Sequence, residues 1–315
     1  MKAIFHYRAT EKLLGLLADI TPDWLEIAIV DPADDTALLR EIADADVLWH
    51  ALKPVTETVM AAAPRLKLVQ KIGVGLDTID RVAAERLGIA VANMPGSNSQ
   101  AVAEATLALM FAALRRVVPI DAATRAGRGW TLPIETYDQV GEIAGRTVGL
   151  LGYGEIPARL VPVLKALGAT VLYHSRTRKP EALAEYCGLD DLLARADILS
   201  LHIPLTPETR QTVDAGFLAR MKPGAVLINT ARGGLVDEAA LAAALTSGRL
   251  MAAGLDVLAV EPAGPGNPLF LLENVVFSPH VAWLTPETLQ RSFSIAIENC
   301  RRLKDGEALL HQARL

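Results

Sequence analysis

Short apolar runs alternate with helical patches along the first ninety residues, and that alternation predicts a parallel sheet flanked by helices. The runs fall at 3–7, 25–30, 47–49 and 66–72, helical spacing occupies 11–17 and 36–42, and another short strand is expected at 89–93. The turn residues Met94-Pro95-Gly96-Ser97-Asn98 break the pattern, and the chain is expected to cross into a second domain there. Residues 99–116 are rich in Ala, Leu and Met around most of a helical circumference, which predicts a helix buried on several sides. The stretch 125–142 carries Gly, Pro, Trp130 and Tyr137 with little periodicity. It reads as an extended arm, too long for a compact monomer and explained by packing on a second copy of the chain.

Past the arm, an apolar run at 148–151 flows into Gly152-Tyr153-Gly154, then a helical segment, then a second β-branched run at 170–173. A glycine pair alone ends many strands. Between a strand and a helix it gains a specific use: Gly152 permits a tight turn, Gly154 lets a pyrophosphate approach the backbone, and the helix N-terminus offers unpaired N–H groups to the anion. The third glycine expected of such a turn is Pro157, which the first helical turn tolerates because its missing N–H would be unpaired anyway. Further strands are expected at 198–202, 225–229, 252–256 and 275–277, with helices near 214–219, 238–247 and 285–305, completing a doubly wound sheet and a final helix long enough to return to the first domain.

Composition narrows the chemistry. A chain of 315 residues suits two domains, and no apolar run reaches the roughly 18 residues a membrane helix needs. The first ten residues lack the apolar core and cleavage site of a signal peptide, and the two cysteines, Cys187 and Cys300, have no metal-like or redox-like spacing, so a cytoplasmic protein is expected. A net charge of −5 without basic blocks argues against nucleic acid and for a small-molecule partner. The six histidines form no pair with metal-ligand spacing, and no G-x-S-x-G elbow supports a serine hydrolase.

The remaining reactive groups lie past the carboxyl ends of predicted strands, where open α/β sheets bind ligands. Arg232 follows Asn229-Thr230-Ala231, Glu261 follows the run ending at Val260, and His280 follows Ser278-Pro279. Singly, each also reads as a surface arginine, a solvated glutamate or a core histidine; together they make an acid–base pair with an anion clamp. In the first domain, Lys53 reads more readily as a solvated loop lysine than as an anion contact. The turn around Gly73-Val74-Gly75 reads equally as a structural turn or a small nest for a carboxylate.

The segments HIPLTPETR (202–210), NTARGGLVDEAAL (229–241), GLDVLAVEP (254–262) and SPHVAWLTPET (278–288), with GVGLDTID (73–80) and NMPGSNSQAVAE (93–104), together resemble the D-isomer-specific 2-hydroxyacid dehydrogenases over nearly the whole chain. The resemblance implies an α/β fold of two doubly wound parallel-sheet domains: a Rossmann-type dinucleotide domain (96–284) inserted into a flavodoxin-like substrate domain (1–95 with 285–315). It implies an NAD(P)-dependent enzyme moving a hydride between the cofactor and a small 2-oxo or 2-hydroxy acid, working as a homodimer. Arg232 would bind the substrate carboxylate and carbonyl, His280 would donate the proton, and Glu261 would pair with it, since a neighbouring carboxylate favours the protonated imidazole and fixes its tautomer. Backbone N–H groups of Val74 and Gly75 would hold the substrate carboxylate, and Asp256 the nicotinamide carboxamide. Gly152, Tyr153, Gly154, Glu155, Ile156, His202, Pro204, Thr209, Thr230 and Ala231 would line the rest of the cofactor. The AWLT continuation after His280 resembles glyoxylate/hydroxypyruvate reductases, which puts glyoxylate and hydroxypyruvate first. Glu155 and Pro157 depart from the family, which often has a basic residue and a glycine there; a carboxylate at 155 opposes the pyrophosphate charge. They leave open a second class, the related corepressors that keep the nucleotide fold as a redox-responsive binding module. The regulatory domain appended to some phosphoglycerate dehydrogenases is not expected.

Cofactor choice turns on the end of the second strand of the nucleotide unit, Ser175-Arg176-Thr177-Arg178. Enzymes selecting NAD commonly place Asp or Glu there to accept from the ribose 2′-OH. A serine with two arginines instead suits a 2′-phosphate, so NADP is expected over NAD. An ordinary basic loop is the plainer alternative.

Overall fold

The computed structural model describes residues 1–314 and divides into two compact units, Met1–Asn98 with Thr285–Leu315, and Ser99–Leu284. The change of unit comes at Asn98, the last of the turn residues Met94 to Asn98 where the crossing is expected.

The first unit alternates strand and helix: β1 (Lys2–His6), α1 (Glu11–Ile20), β2 (Glu26–Val30), α2 (Asp35–Ile42), β3 (Val47–His50), α3 (Glu57–Ala61), β4 (Leu68–Lys71), α4 (Arg81–Arg86) and β5 (Ala90–Ala92). Its sheet is parallel throughout in the order β2-β1-β3-β4-β5, the flavodoxin-like order. Helices on both faces leave the central strands buried on both sides, which is why β3 and β4 are buried along their whole length. The C-terminal helix Pro286–Asp305 starts at a Thr285 cap whose hydroxyl accepts from the Thr288 N–H at 3.1 Å. It covers this sheet: Phe293 stacks on Trp49 at 5.9 Å between ring centroids, and the Asn299 amide donates to the Gln70 side-chain oxygen at 2.6 Å. Lys53 is held by Asp35 at 2.5 Å and by the Pro32 carbonyl.

The second unit begins with α5 (Ser99–Leu114) and α6 (Val117–Arg125). The single helix expected over 99–116 therefore ends early. Arg116 enters the left-handed region at φ 50° and stops α5, and Pro119 is accommodated in the first turn of α6. Beyond it, the expected extended arm is instead two 3-10 turns, Gly129–Thr131 and Ile134–Gln139, which leave Trp130 84% and Ile134 73% exposed.

Then follow β6 (Thr147–Leu151), α7 (Glu155–Ala166), β7 (Thr170–His174), β8 (Glu185–Tyr186), α8 (Leu189–Arg195), β9 (Ile198–Leu201), α9 (Ala215–Arg220), β10 (Ala225–Asn229), α10 (Glu238–Thr246), β11 (Leu250–Leu255) and β12 (Val275–Phe277). They form a parallel sheet in the order β12-β11-β10-β9-β6-β7-β8. Sequence neighbours diverge between β6 and β9, so the crevice where such sheets bind dinucleotides opens at the carboxyl end of β6, above Gly152. Among the described residues no helix is long and apolar enough to cross a membrane.

Candidate active site

The turn after β6 is built for close approach of another molecule to backbone. Gly152 sits at φ 103°, and a Cβ there would collide with the His202 carbonyl, so a side chain is excluded both by conformation and by space. Its N–H donates to the His174 carbonyl at 2.7 Å, and His202 N–H donates to the Leu151 carbonyl at 2.7 Å, pinning the turn between β7 and β9. Gly154 takes the cap position of α7 without a side-chain cap, and a Cβ there would meet nothing within 4 Å. Space is therefore open beside the cap, where the Glu155 and Ile156 N–H groups of a twelve-residue helix have no intrahelical partner, an arrangement that fits a pyrophosphate. Glu155 occupies the first position of that helix, where its charge suits the helix dipole while opposing a bound phosphate; Pro157 occupies the third, where no intrahelical hydrogen bond is lost.

At the end of β7 the chain folds back on two tyrosines. The Tyr153 and Tyr173 rings lie 4.5 Å apart, and the Tyr173 hydroxyl donates to the Lys179 carbonyl at 3.2 Å while accepting from Lys179 N–H at 2.8 Å. The Ser175 hydroxyl donates to the Thr177 carbonyl at 2.7 Å, so it shapes the loop, and Arg176, Thr177 and Arg178 are left exposed, with Arg178 6.0 Å above the Tyr186 ring. Across the crevice, Thr209 donates to the Pro204 carbonyl at 2.7 Å and closes the 204–210 loop. Glu208 on this loop lies below the usual carboxylate range, held there first by the Thr206 hydroxyl and in part by the positive charge of Arg176. His202 is packed so that burial pushes its imidazole down to about 3, and its Nε2 lies 2.9 Å from the Ser200 hydroxyl. It is a neutral ring at any ordinary pH. The Thr230 hydroxyl is buried against that of Thr106 at 2.9 Å.

Past β10 and β11 the reactive set assembles within the second unit. Asn229 brackets the turn carrying Arg232: its side-chain oxygen accepts from Ala231 N–H at 3.0 Å, and its amide donates to the Arg232 carbonyl at 2.9 Å. The guanidinium is partly buried and donates to the Ala231 carbonyl at 2.7 Å. Gly233 follows because nothing larger fits; a Cβ there would overlap the Leu258 carbonyl group. His280 Nδ1 lies 2.5 Å from Glu261 Oε2, and Glu261 Oε1 accepts from Leu258 N–H at 2.9 Å. Burial pulls the Glu261 carboxyl upward, but the His280 hydrogen bond and charge, the Leu258 N–H and the Arg232 charge outweigh it and hold the group below its ordinary value. An ionised Glu261 makes Nδ1 of His280 the donor in this pair, leaving Nε2 for chemistry.

His280 itself stands at φ 56°, a conformation non-glycine residues adopt rarely and only where surroundings enforce it. Here the enforcement comes from the buried Asp256. Its carboxylate accepts from the Ser278 hydroxyl, from Val281 N–H at 3.0 Å and from Ala282 N–H at 3.1 Å, while His280 N–H donates to the Asp256 carbonyl at 2.7 Å. The Trp283 indole closes the turn by donating to the His280 carbonyl at 3.1 Å. From the sequence Asp256 stands out only as a contact to the cofactor; in the structure it shapes the turn that presents His280. Asn229 and Ser278 carry no assignment in the sequence reading, since their partners are local backbone and one buried carboxylate.

Val74 and Gly75 lie in the first unit, in the turn after β4. Gly73 precedes them at φ 139°, its carbonyl accepting from Met94 N–H at 2.9 Å, and the Val74 carbonyl accepts from the Asn93 amide at 2.8 Å.

The family model "D-isomer specific 2-hydroxyacid dehydrogenase, NAD binding domain" matches residues 107–282. A glyoxylate reductase of Aeropyrum pernix is 42% identical over 284 residues, 88% of this chain and 85% of that protein. A D-3-phosphoglycerate dehydrogenase of Mycobacterium tuberculosis is 43% identical over 290 residues, 90% of this chain but 54% of that protein, so the chain spans about half its length. A crystal structure of a Thermus thermophilus protein superposes with a TM-score of 0.89 at 36% identity, covering 100% of both chains. The chain belongs to the D-isomer specific 2-hydroxyacid dehydrogenase family, and is an NAD(P)-dependent oxidoreductase.

Proposed function

We propose that this protein reduces a small 2-oxo acid, glyoxylate or hydroxypyruvate first, to the D-2-hydroxy acid with NADPH. The observation that carries this reading is the convergence of a guanidinium, a carboxylate and an imidazole, Arg232, Glu261 and His280, past adjacent strands of one dinucleotide-type sheet. A bound nicotinamide supplies the hydride. The chain supplies the rest: Arg232 clamps the carboxylate and carbonyl oxygens of the acid, and Nε2 of His280 delivers a proton to the oxygen on which negative charge develops. Glu261 holds the imidazole by Nδ1, so the proton given up is always the one facing the substrate. On this reading the second unit binds the dinucleotide through Gly152, Tyr153, Gly154, Glu155, Ile156, Thr230 and Ala231 and the 202–209 loop. The first unit binds substrate, and the Val74 and Gly75 N–H groups meet its carboxylate. The test is oxidation of NADPH by a panel of 2-oxo acids; bound cofactor without turnover of any would refute it.

The preference for NADPH rests on Arg176 and Arg178, exposed beside Ser175 where an acidic residue would select NAD. A charge-assisted hydrogen bond contributes about 1.5 to 3 kcal/mol, which corresponds to a preference of roughly tenfold or more in kcat/KM. Ser175→Asp with Arg176→Ala is expected to reverse it. Steady-state kinetics with both cofactors decide the matter: NADH equal to or better than NADPH in the wild type, or an unchanged ratio in the double variant, contradicts the assignment.

The homodimer is proposed from the apolar side chains that the 117–139 segment leaves exposed, Val117, Val118, Trp130, Ile134 and Tyr137. Sedimentation at micromolar concentration should give twice the 33.7 kDa of one chain; the single-chain mass would contradict it.

A further inference from the structure

We infer that Glu238 is a positioning residue for the reaction, holding the loop that carries Glu261 against α10 and so keeping the Glu261–His280 pair in register with Arg232. The inference rests on the reading of those three residues as the reacting set. The loop from Leu258 to Asn267 leaves β11 with little apolar cover, its residues 259–262 and 264–266 being exposed, so hydrogen bonds rather than burial must set its position. The two side-chain bonds joining it to α10 go to one carboxylate. Glu238 Oε1 accepts from Ala259 N–H at 2.6 Å, next to the Leu258 N–H that Glu261 engages, and Glu238 Oε2 accepts from the Asn267 amide at 2.8 Å. One side chain therefore grips the loop near both ends, with Glu261 between.

What it grips the loop to is rigid. α10 buries Leu241 and Leu245, and its Asp237 cap accepts from Ala239 N–H at 3.0 Å and Ala240 N–H at 3.1 Å. Six residues upstream of Glu238 stands Arg232, followed by Gly233, whose missing side chain lets the turn press on the Leu258 carbonyl group. The loop thus touches the Arg232 turn at Leu258 and is tied to the next helix at Ala259 and Asn267. Releasing that tie leaves Glu261 free to drift while the Arg232 turn stays in place. Reaction geometry is sensitive to such drift, since a displacement of about 1 Å can cost on the order of a hundredfold in rate.

Three variants test the inference. Glu238→Ala removes both acceptors. Glu238→Gln keeps an acceptor for Ala259 but sets its amide donor against the Asn267 amide donor. Glu238→Gln with Asn267→Asp restores a donor–acceptor pair, and the new carboxylate can still accept from Leu269 N–H as Asn267 Oδ1 does at 3.0 Å. The readouts are kcat, cofactor affinity by fluorescence titration, thermal unfolding, and the His280 Nδ1–H proton resonance by NMR, assigned by its loss in His280→Gln. Glu238→Ala is expected to lower kcat about tenfold and to move the Nδ1–H resonance upfield as the hydrogen bond to Glu261, 2.5 Å in the wild type, lengthens, with cofactor affinity unchanged. Glu238→Gln should show the same changes, and the double variant should recover most of both. A wild-type Nδ1–H resonance in Glu238→Ala overturns the inference, whatever happens to thermal stability, as does a double variant no better than Glu238→Gln. If the wild type turns over no oxo acid, the functional reading fails, while the resonance still decides the role of Glu238.

Discussion

Replacing His280 by alanine is expected to lower kcat by about 10² to 10⁴, the usual contribution of a positioned general acid, with a much smaller change in KM. The asymmetry follows from the site. Nδ1 of His280 is engaged by Glu261 at 2.5 Å, which leaves Nε2 as the proposed reacting atom, while the substrate carboxylate is proposed to meet Arg232. Loss of the imidazole removes an interaction that matters when charge develops on the oxygen and little in the ground state. Glu261→Gln should fall between wild type and His280→Ala, because the amide oxygen can still accept from Nδ1–H but is a weaker, uncharged acceptor that holds the ring less firmly. Steady-state kinetics across pH separate the two. Wild-type kcat in His280→Ala would remove the proton-donor assignment.

The second large effect is expected at Asp256, and it is felt in stability as well as rate. Its carboxylate is 2% exposed and serves the Ser278 hydroxyl and the Val281 and Ala282 N–H groups. Asp256→Ala strands these donors, and each buried donor without a partner costs about 1 to 3 kcal/mol, so urea unfolding should show a loss of about 3 kcal/mol or more. The same turn holds His280 at φ 56°, a backbone state that costs on the order of 1 to 3 kcal/mol and persists only under constraint. Once the constraint is lost, the ring leaves its place and kcat falls with it. Asp256→Asn keeps one oxygen toward the turn and should lose less on both measures. An Asp256→Ala variant with wild-type unfolding and wild-type kcat would show that the turn does not depend on this carboxylate.

The sequence carried the sheets well because strands of parallel sheets, covered on both faces, read as unbroken apolar runs; 225–229 and 275–277 coincide with β10 and β12. It carried the short helices badly. α3 and α4 span five and six residues, too few for a helical period to show, and β8 is a two-residue edge strand. α6 lay hidden between an overextended helix and an expected arm, with Pro119 in its first turn. At the site, Arg232, Glu261 and His280 were legible as polar residues past strand ends. The supports were not, since Glu238 and Asp256 act on backbone or amide N–H groups 21 to 29 residues away, and no spacing within the chain announces such a partner. The Ser175 hydroxyl, legible as a phosphate donor, donates to the Thr177 carbonyl of its own loop.

In the proposed reaction a bound nicotinamide would give its hydride to one face of the 2-oxo carbon while His280 gives its proton to the carbonyl oxygen. The most direct measurement is the product of hydroxypyruvate incubated with the purified protein and NADPH, resolved by chiral chromatography against both glycerate enantiomers. D-Glycerate formed in step with NADPH oxidation is the predicted result. L-Glycerate, or no product from protein shown to bind the cofactor, would contradict it.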